Sequence, residues 1–555
     1  MHMSSNSELV VSKARLGDLQ EGISRLHREA SAYRYNYLIV GALLASVAVL
    51  VLWFFYSRNE ILLSGDAVAH INIARRVFDS RTPGPMQLGT VWLPLPHVLT
   101  IPFVVSARLW KSGLGGSIPS VISYVIAGLG IFRLLSIWSR LAAWVATLIF
   151  AANPNVLYVQ TTALNEPMYL ACFIWSVVFF VEANRALLRN HANAGRWLER
   201  GAIALAAAIL TRYDGWFLAF ACWLTVLPIA VKRMRSFPDE QRQTIRKSAV
   251  KALLLTALAP TLWLAVNFGS KGNALDFANG PYSAKAIAER TTANGAAPYP
   301  GEGHPWTAGV YFEKAAQLNM GETGVARLLV IFAALASLFF ALRFDWQMPA
   351  LLWSPVVFYA LSIAYGSVPI FLPVWWPFSY YNLRYGLELI PAIAGGFGFA
   401  IVLLRQRWKW QYAPRLGACC LGVLAVLSYW NAWRATPICL REVRANGQAR
   451  LQLDAQLARV LESLPANATI LAYVGSHSGA FEMAGIPFRR TINEGIYLVW
   501  DSSLRHPAAA ADYVIASADD PVAAAIEAHP DSLTRIAEID VPGQARTSVY
   551  RSLTR

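Results

Sequence analysis

The chain has 555 residues, 56% of them hydrophobic and only 15% charged, with a mean hydropathy of +0.39. Such a composition excludes a soluble enzyme over most of the length, because apolar runs of about 17–25 residues, parted by short basic or Pro/Gly-rich loops, read as membrane spans. The formal charge of +15 does not point to nucleic acid, since the basic residues collect in loops between spans, where membrane topology requires them.

Residues 1–35 read as a cytoplasmic segment without a signal peptide, because a polar stretch precedes the first apolar run. Leu16, Leu19, Ile23 and Leu26 recur there at helical spacing among Arg15, Arg25 and Arg28. An in-plane amphipathic helix on the anionic leaflet or a plain solvated helix fits that pattern equally. The membrane part is expected over 36–434, with crossings at 37–56, 117–137, 141–158, 167–183, 201–213, 215–231, 252–268, 325–342, 348–366, 389–404 and 412–433. Three basic loops fix the orientation. They carry Arg185, Arg189, Arg196 and Arg200; then Lys232, Arg233, Arg235, Arg242, Arg246, Lys247 and Lys251; then Arg405, Arg407, Lys409 and Arg415. With these loops and the N-terminus cytoplasmic, the loops holding Asp66, Glu166 and Arg384 fall together on the external side.

The count requires that Trp92 to Trp110, with Pro94, Pro96 and Pro102, does not cross. It reads as a juxtamembrane or half-inserted helix within a first external loop over 57–116; the alternative is an ordinary span and an error elsewhere in the count. The arm Gly201 to Leu210 is too short for a full bilayer, so the tip Arg212-Tyr213-Asp214-Gly215 is expected below the outer surface. Residues 269–324 form a long external loop containing His304-Pro305-Trp306 and other aromatics that suit sugars, isoprenoid or an interfacial belt. Residues 435–555 alternate helix, strand and turn, as a small soluble α/β domain does: Gln448 to Leu464 is helical, Thr469 to Val474 and Asp512 to Ala516 are buried strands, and Thr547 to Arg551 is an edge strand. The Gly475-Ser476-His477-Ser478-Gly479 turn lacks the glycine order of a nucleotide loop. Five scattered cysteines give neither a disulfide framework nor a zinc spacing.

Ionisable residues at span ends are costly and therefore informative. Asp66 opens a helix carrying His70, Ile73, Ala74 and Val77 on one side. It is a general base favoured by the helix dipole, or merely the cap of that helix. Glu166 in Leu164-Asn165-Glu166-Pro167 is an acceptor-orienting or proton-sharing acid, or again a cap. Arg384, between Tyr381 and Tyr385, suits a phosphate held at the membrane surface, or snorkels to the interface. Arg212 with Asp214 is a second phosphate contact or a local ion pair. His97 is a core histidine or a donor to the substrate.

These motifs resemble the GT-C superfamily of integral membrane glycosyltransferases, which includes protein O-mannosyltransferases, the aminoarabinose transferase acting on lipid A and mycobacterial arabinosyltransferases. The resemblance covers most of the membrane part. It rests on Gly65-Asp66, Ile73-Ala74-Arg75-Arg76, Trp92-Leu93-Pro94-Leu95-Pro96-His97, Thr162 to Pro167, and Leu383-Arg384-Tyr385 with Pro391 following. It implies a polytopic α-helical fold with about 11 spans, external juxtamembrane helices and the small C-terminal α/β domain. It further implies a multi-pass protein of a bacterial-type inner membrane, with the C-terminal domain periplasmic. The implied activity is transfer of a hexosyl or pentosyl group, with inversion, from a polyprenyl-phosphate sugar to a glycan, lipid or protein hydroxyl.

By the same resemblance Asp66 and Glu166 are catalytic and Arg384, with Arg212, contacts the lipid phosphate. His70, His97, Tyr381, Tyr385 and Asp214 are substrate contacts. Ala67 follows Asp66 where several members have an Asp-Glu pair, which leaves divalent-metal dependence in doubt and no metal ligands assigned. A lipid-linked sugar transporter and an O-antigen-type polymerase are the competing functions; a transporter tends to show two related halves, and none is evident.

Overall fold

A computed structural model describes residues 35–293, 297–407, 410–518, 520–530 and 532–555. The N-terminal positions expected to form an amphipathic helix lie outside the described residues. Among those described, nine helices are long and apolar enough to cross a membrane.

The first, α1 (Tyr35–Tyr56), buries Val40, Leu44 and Ala48 at four-residue spacing and turns Leu43, Val47 and Leu50 outward. Apolar residues on both faces, one against protein and one bare, are what a helix at the lipid boundary requires. After α2 (Gly65–Arg76), the proline-rich stretch forms two short helices instead of one, α3 (Leu95–Val104) and α4 (Ala107–Lys111). Ten residues of helix reach only about 15 Å, half of a hydrocarbon core. The break falls at Ser106, whose hydroxyl accepts from the Leu109 amide.

All eleven expected crossings fall on helices. The long ones are α1, α5 (Leu114–Ser136), α8 (Glu166–Leu188), α10 (Asp214–Arg233) and α11 (Asp239–Lys271), then α15 (Gly324–Arg343) and the later pairs below. Two are shorter than a bilayer. One is α6 (Arg140–Ala151), extended past the Asn153 cap by α7 (Pro154–Val159); the other is α9 (Ala194–Ile209), which starts back among the basic residues. The stretch 269–324 is no loose loop, for it holds α12 (Asp276–Asn279), α13 (Ala284–Ala293) and α14 (Pro305–Met320). Phe312 and Ala316 of α14 are buried.

A break at Trp353 divides α16 (Gln347–Leu352) from α17 (Ser354–Tyr365). A 3-10 turn, Leu383–Leu389, then leads into α18 (Ile390–Arg407), and α19 (Ala413–Arg434) follows.

α20 (Ile438–Glu462) leads to a five-stranded sheet of β1 (Ile470–Ala472), β2 (Thr491–Ile492), β3 (Tyr513–Ser517), β4 (Leu533–Ile539) and β5 (Thr547–Ser552). The order is β2-β1-β3-β5-β4, with β1 parallel to β2 and β3 and with β5 antiparallel to β3 and β4. The expected edge position of Thr547 to Arg551 is therefore corrected. That strand is interior and β4 takes the edge, with Thr534, Arg535, Ile536 and Glu538 exposed. The connections are α21 (Val474–Ala484), α22 (Tyr497–Arg505), α23 (Pro507–Ala510) and α24 (Pro521–Ala528).

Two contacts tie this region to the membrane bundle. α21 packs on α2, where Asn72 Nδ2 donates to Glu482 Oε2 at 2.7 Å and Trp110 Nε1 donates to Asn72 Oδ1 at 2.8 Å. α2 is thus buried on more sides than a helix lying free in the interface would be: His70, Ile71, Asn72, Ile73 and Ala74 are all enclosed. Along α20, Arg450 Nη2 donates to the carbonyls of Leu62 (2.8 Å) and Leu63 (3.2 Å), and Glu442 Oε2 accepts from the Leu383 amide at 3.1 Å. One helix therefore grips the approach to Asp66 and the turn that carries Arg384.

Candidate active site

Asp66 does not cap its helix. Ser64 does, accepting from the Ala67 amide at 3.5 Å, which leaves the Asp66 carboxylate in the first turn and free to reach elsewhere. Its Oδ2 accepts from Arg384 Nη2 at 2.5 Å, and its side chain remains 40% exposed. Glu166 is the first residue of α8, ahead of Pro167, and is not a cap either. Its side chain is 1% exposed, and its Oε1 accepts from Arg384 Nε at 2.8 Å and from Arg212 Nη1 at 3.0 Å. Arg384 therefore bridges the two acids instead of snorkelling. It sits just after Asn382, whose φ of 58° is a left-handed conformation that asparagine tolerates. The three groups expected to converge do so.

Arg212 is more than half of a local pair. Besides Glu166, it meets Asp214 Oδ2 and Glu388 Oε1 through Nε at 3.0 and 3.2 Å, and it donates to Asn165 Oδ1 and the Tyr359 hydroxyl at 3.0 Å each. With most of its donors engaged by the protein, this guanidinium holds the scaffold of the site. The Tyr359 hydroxyl lies 2.9 Å from Asp214 Oδ2 and 2.7 Å from Glu388 Oε1. The Tyr385 ring faces both cations, with the Arg212 guanidinium carbon 4.8 Å and that of Arg384 5.4 Å from its centroid. A ring face between two like charges is electrostatically favourable to each.

Glu388, Tyr359 and Asn165 are absent from the sequence-based set. Glu388 was detectable, as a lone acid running into the apolar stretch of α18. Tyr359 carries no such signal.

His70 Nδ1 and His97 Nε2 are 2.8 Å apart, and the Trp92 ring packs on His70 at 4.7 Å. Burial, reinforced by the charges of Arg384 and then Arg212, lowers the His70 pKa to about 3. The imidazole is neutral at ordinary pH and adds no third cation. His97 is fully buried behind it, and its Nδ1 has no hydrogen-bond partner. Tyr381 is half exposed, and partial burial with the Asp66 charge pushes its phenol upward. Its ring pairs with Phe371 at 5.7 Å.

Two guanidinium groups stand between the acids, so this donor set does not fit a divalent cation: Glu166 Oε1 is already shared by both arginines. Among the described residues no group of three or more potential metal ligands occurs.

The acids and Arg384 lie at one end of the bundle. α8 and α10 begin at the site, at Glu166 and Asp214, and end with Arg185 and with Lys232 and Arg233; α18 continues from the Arg384 turn and ends with Arg405 and Arg407.

No protein-family profile and no curated protein sequence matches the chain. Among solved structures, ArnT from Cupriavidus metallidurans bound to undecaprenyl phosphate matches over 92% of this chain and 97% of that one, at 14% identity and a TM-score of 0.54. The apo state of the same protein matches over 92% and 98%, at 13% identity and a TM-score of 0.53. An Archaeoglobus fulgidus oligosaccharyltransferase tethered with an acceptor peptide matches at 12% identity over 87% of this chain and 69% of that one, but its TM-score of 0.43 is too low for a shared fold to be read from it. With the likeness running over nearly the whole of both chains, this chain is a multi-pass membrane protein that shares the fold of ArnT.

Proposed function

We propose that the chain is an inverting membrane glycosyltransferase that moves a sugar from a polyprenyl-phosphate donor to an acceptor hydroxyl at the external, periplasmic face. The observation that carries this reading is Arg384, which joins Asp66 and Glu166 across 318 and 218 residues of sequence. The ArnT structure bound to undecaprenyl phosphate supports a polyprenyl phosphate as the carrier.

The donor phosphate competes with Asp66 for Arg384, because a phosphate offers more negative charge and more acceptor oxygens than one carboxylate. Taking the Nη2 donor frees Asp66 as Glu166 keeps the guanidinium in place through Nε. The acceptor hydroxyl then attacks the anomeric carbon from the face opposite the phosphate and gives its proton to Asp66. The bond between that carbon and the phosphate oxygen breaks, and its electron pair leaves with the polyprenyl phosphate. Phosphate is a good leaving group, so fixed positive charge serves it better than an acid. Arg212, enclosed by Glu166, Asp214, Glu388 and Tyr359, acts in this scheme as a positioning residue and not as a direct phosphate ligand.

The test is transfer by purified protein from a polyprenyl-phosphate sugar. Asp66→Asn is expected to retain lipid-phosphate binding and lose transfer, whereas full activity in that variant overturns the base assignment. Flux of the lipid-linked sugar across liposomes without a covalent product favours a transporter instead.

A further inference from the structure

In an open α/β sheet, ligands settle outside the carboxyl ends of the strands, where neighbouring connections leave in opposite directions. β1 and β3 meet that condition: β1 continues through α21 to β2 on one side, and β3 through α24 to β4 on the far side. A cavity of about 430 Å³ opens at this point. Ser476 and His477, read from the sequence as part of a turn but lying in the first turn of α21, form one wall, and Ser517, the last residue of β3, faces them. Gln544 closes another side. Tyr282, from the segment between α12 and α13, meets Tyr473 hydroxyl to hydroxyl at 3.3 Å.

The chemistry of the walls selects a class of ligand. No lysine or arginine lines the cavity among the described residues. The amides at the start of α21 are taken, since Val474 N and Gly475 N donate to Glu494 at 2.9 and 2.8 Å. The carboxylate present, Asp520, spends its oxygens on the amides of Ser517 (2.9 Å) and Ala523 (2.7 Å). An anion therefore finds nothing to bind. His477 is buried and neutral, for burial lowers its pKa to about 4. Its Nε2 lies 3.0 Å from Ser517 Oγ, while its buried Nδ1 has no partner. What the walls leave open to a ligand is the exposed Ser476 hydroxyl and the half-buried Gln544 amide, which between them donate to and accept from a hydroxyl. Tyrosine faces and Pro521 supply the apolar surface that a sugar ring packs on.

We infer that the cleft at the carboxyl ends of β1 and β3 binds a neutral saccharide, packed on Tyr473 and hydrogen-bonded through Ser476 and Gln544. This site does not rest on the transfer reading, since it needs neither Asp66 nor a donor lipid.

The test uses full-length protein in nanodiscs on an immobilised panel of neutral mannose, glucose and galactose oligosaccharides, with sialylated oligosaccharides and inorganic phosphate as anionic probes. Binding of neutral oligosaccharides that weakens about tenfold or more in Tyr473→Ala and in Ser476→Trp, and is unchanged in Asp66→Asn, supports the site. Ser476 is exposed, so Ser476→Trp blocks the cleft without disturbing a core. The inference is overturned if the neutral panel is not bound, if only the anionic probes bind, if neither cleft variant weakens binding, or if Asp66→Asn abolishes it.

Discussion

Arg384 and Asp66, 318 positions apart, are joined by a 2.5 Å charge-assisted hydrogen bond on the half-exposed side of an otherwise enclosed cluster. The same guanidinium holds the fully buried Glu166 through Nε. Lysine at this position keeps a charge but offers a point where a fork is required. Arg384→Lys is expected to slow transfer by about 10²–10³-fold, the usual loss for one preorganised donor at developing charge. A turnover assay with lipid-linked donor checks this, and near-normal rates would remove Arg384 from the proposed mechanism.

Tyr359→Phe deletes one hydroxyl that meets Arg212, Asp214 and Glu388. Shape is kept, so the loss falls on partners left buried without their hydrogen bond, at about 1–3 kcal/mol. A lower Tm and a reduced kcat with unchanged lipid binding are expected. Unaltered Tm and kcat together would contradict the positioning role of this cluster.

Gly447 of α20 lies against the chain just before Asp66. A Cβ there would stand 2.0 Å from the Leu63 carbonyl oxygen, a backbone atom with no room to yield. Gly447→Ala is expected to cost about 1–3 kcal/mol through overpacking and to lower kcat by displacing Ser64 and Asp66. Thermal denaturation and turnover read the two effects separately; a variant as stable and active as the parent would show that the contact is slack.

Burial holds the Glu482 carboxyl up at about 8, against an ordinary 4.5, where it accepts from Asn72 at the α2–α21 contact. A carboxyl raised in this way stabilises the fold fully below its unfolded value. That contribution is lost as pH climbs from 4.5 through about 8. Glu482→Gln cannot ionise, so its Tm is expected to fall less than the parent's between pH 5 and 8. Parallel Tm profiles would refute the assignment.

The sequence made Asp66, Glu166 and Arg384 visible because an ionisable side chain at the end of an apolar run has few bland explanations. It did not say that Arg384 would join the two acids, nor that Arg212 would reach Glu166 and Glu388 beyond its neighbour Asp214, since partner choice depends on how helices pack. The capping alternatives for Asp66 and Glu166 could not be dismissed from spacing alone; the structure dismisses them by giving the cap to Ser64 and by turning Glu166 toward two arginines. Hydrophobic runs located the crossings well. The short apolar arm at Gly201 to Leu210 was legible too, whereas the interior place of β5 was not, because it is decided by pairing with β3 and β4.

The grip of α20 on both Leu62-Leu63 and Leu383 has a consequence for how such a protein can be divided. Severing the chain after α19 would not yield a smaller working core with an accessory part removed. It would release the backbone on either side of the candidate site, so the C-terminal fifth and the bundle must be inherited, and exchanged between relatives, as one piece.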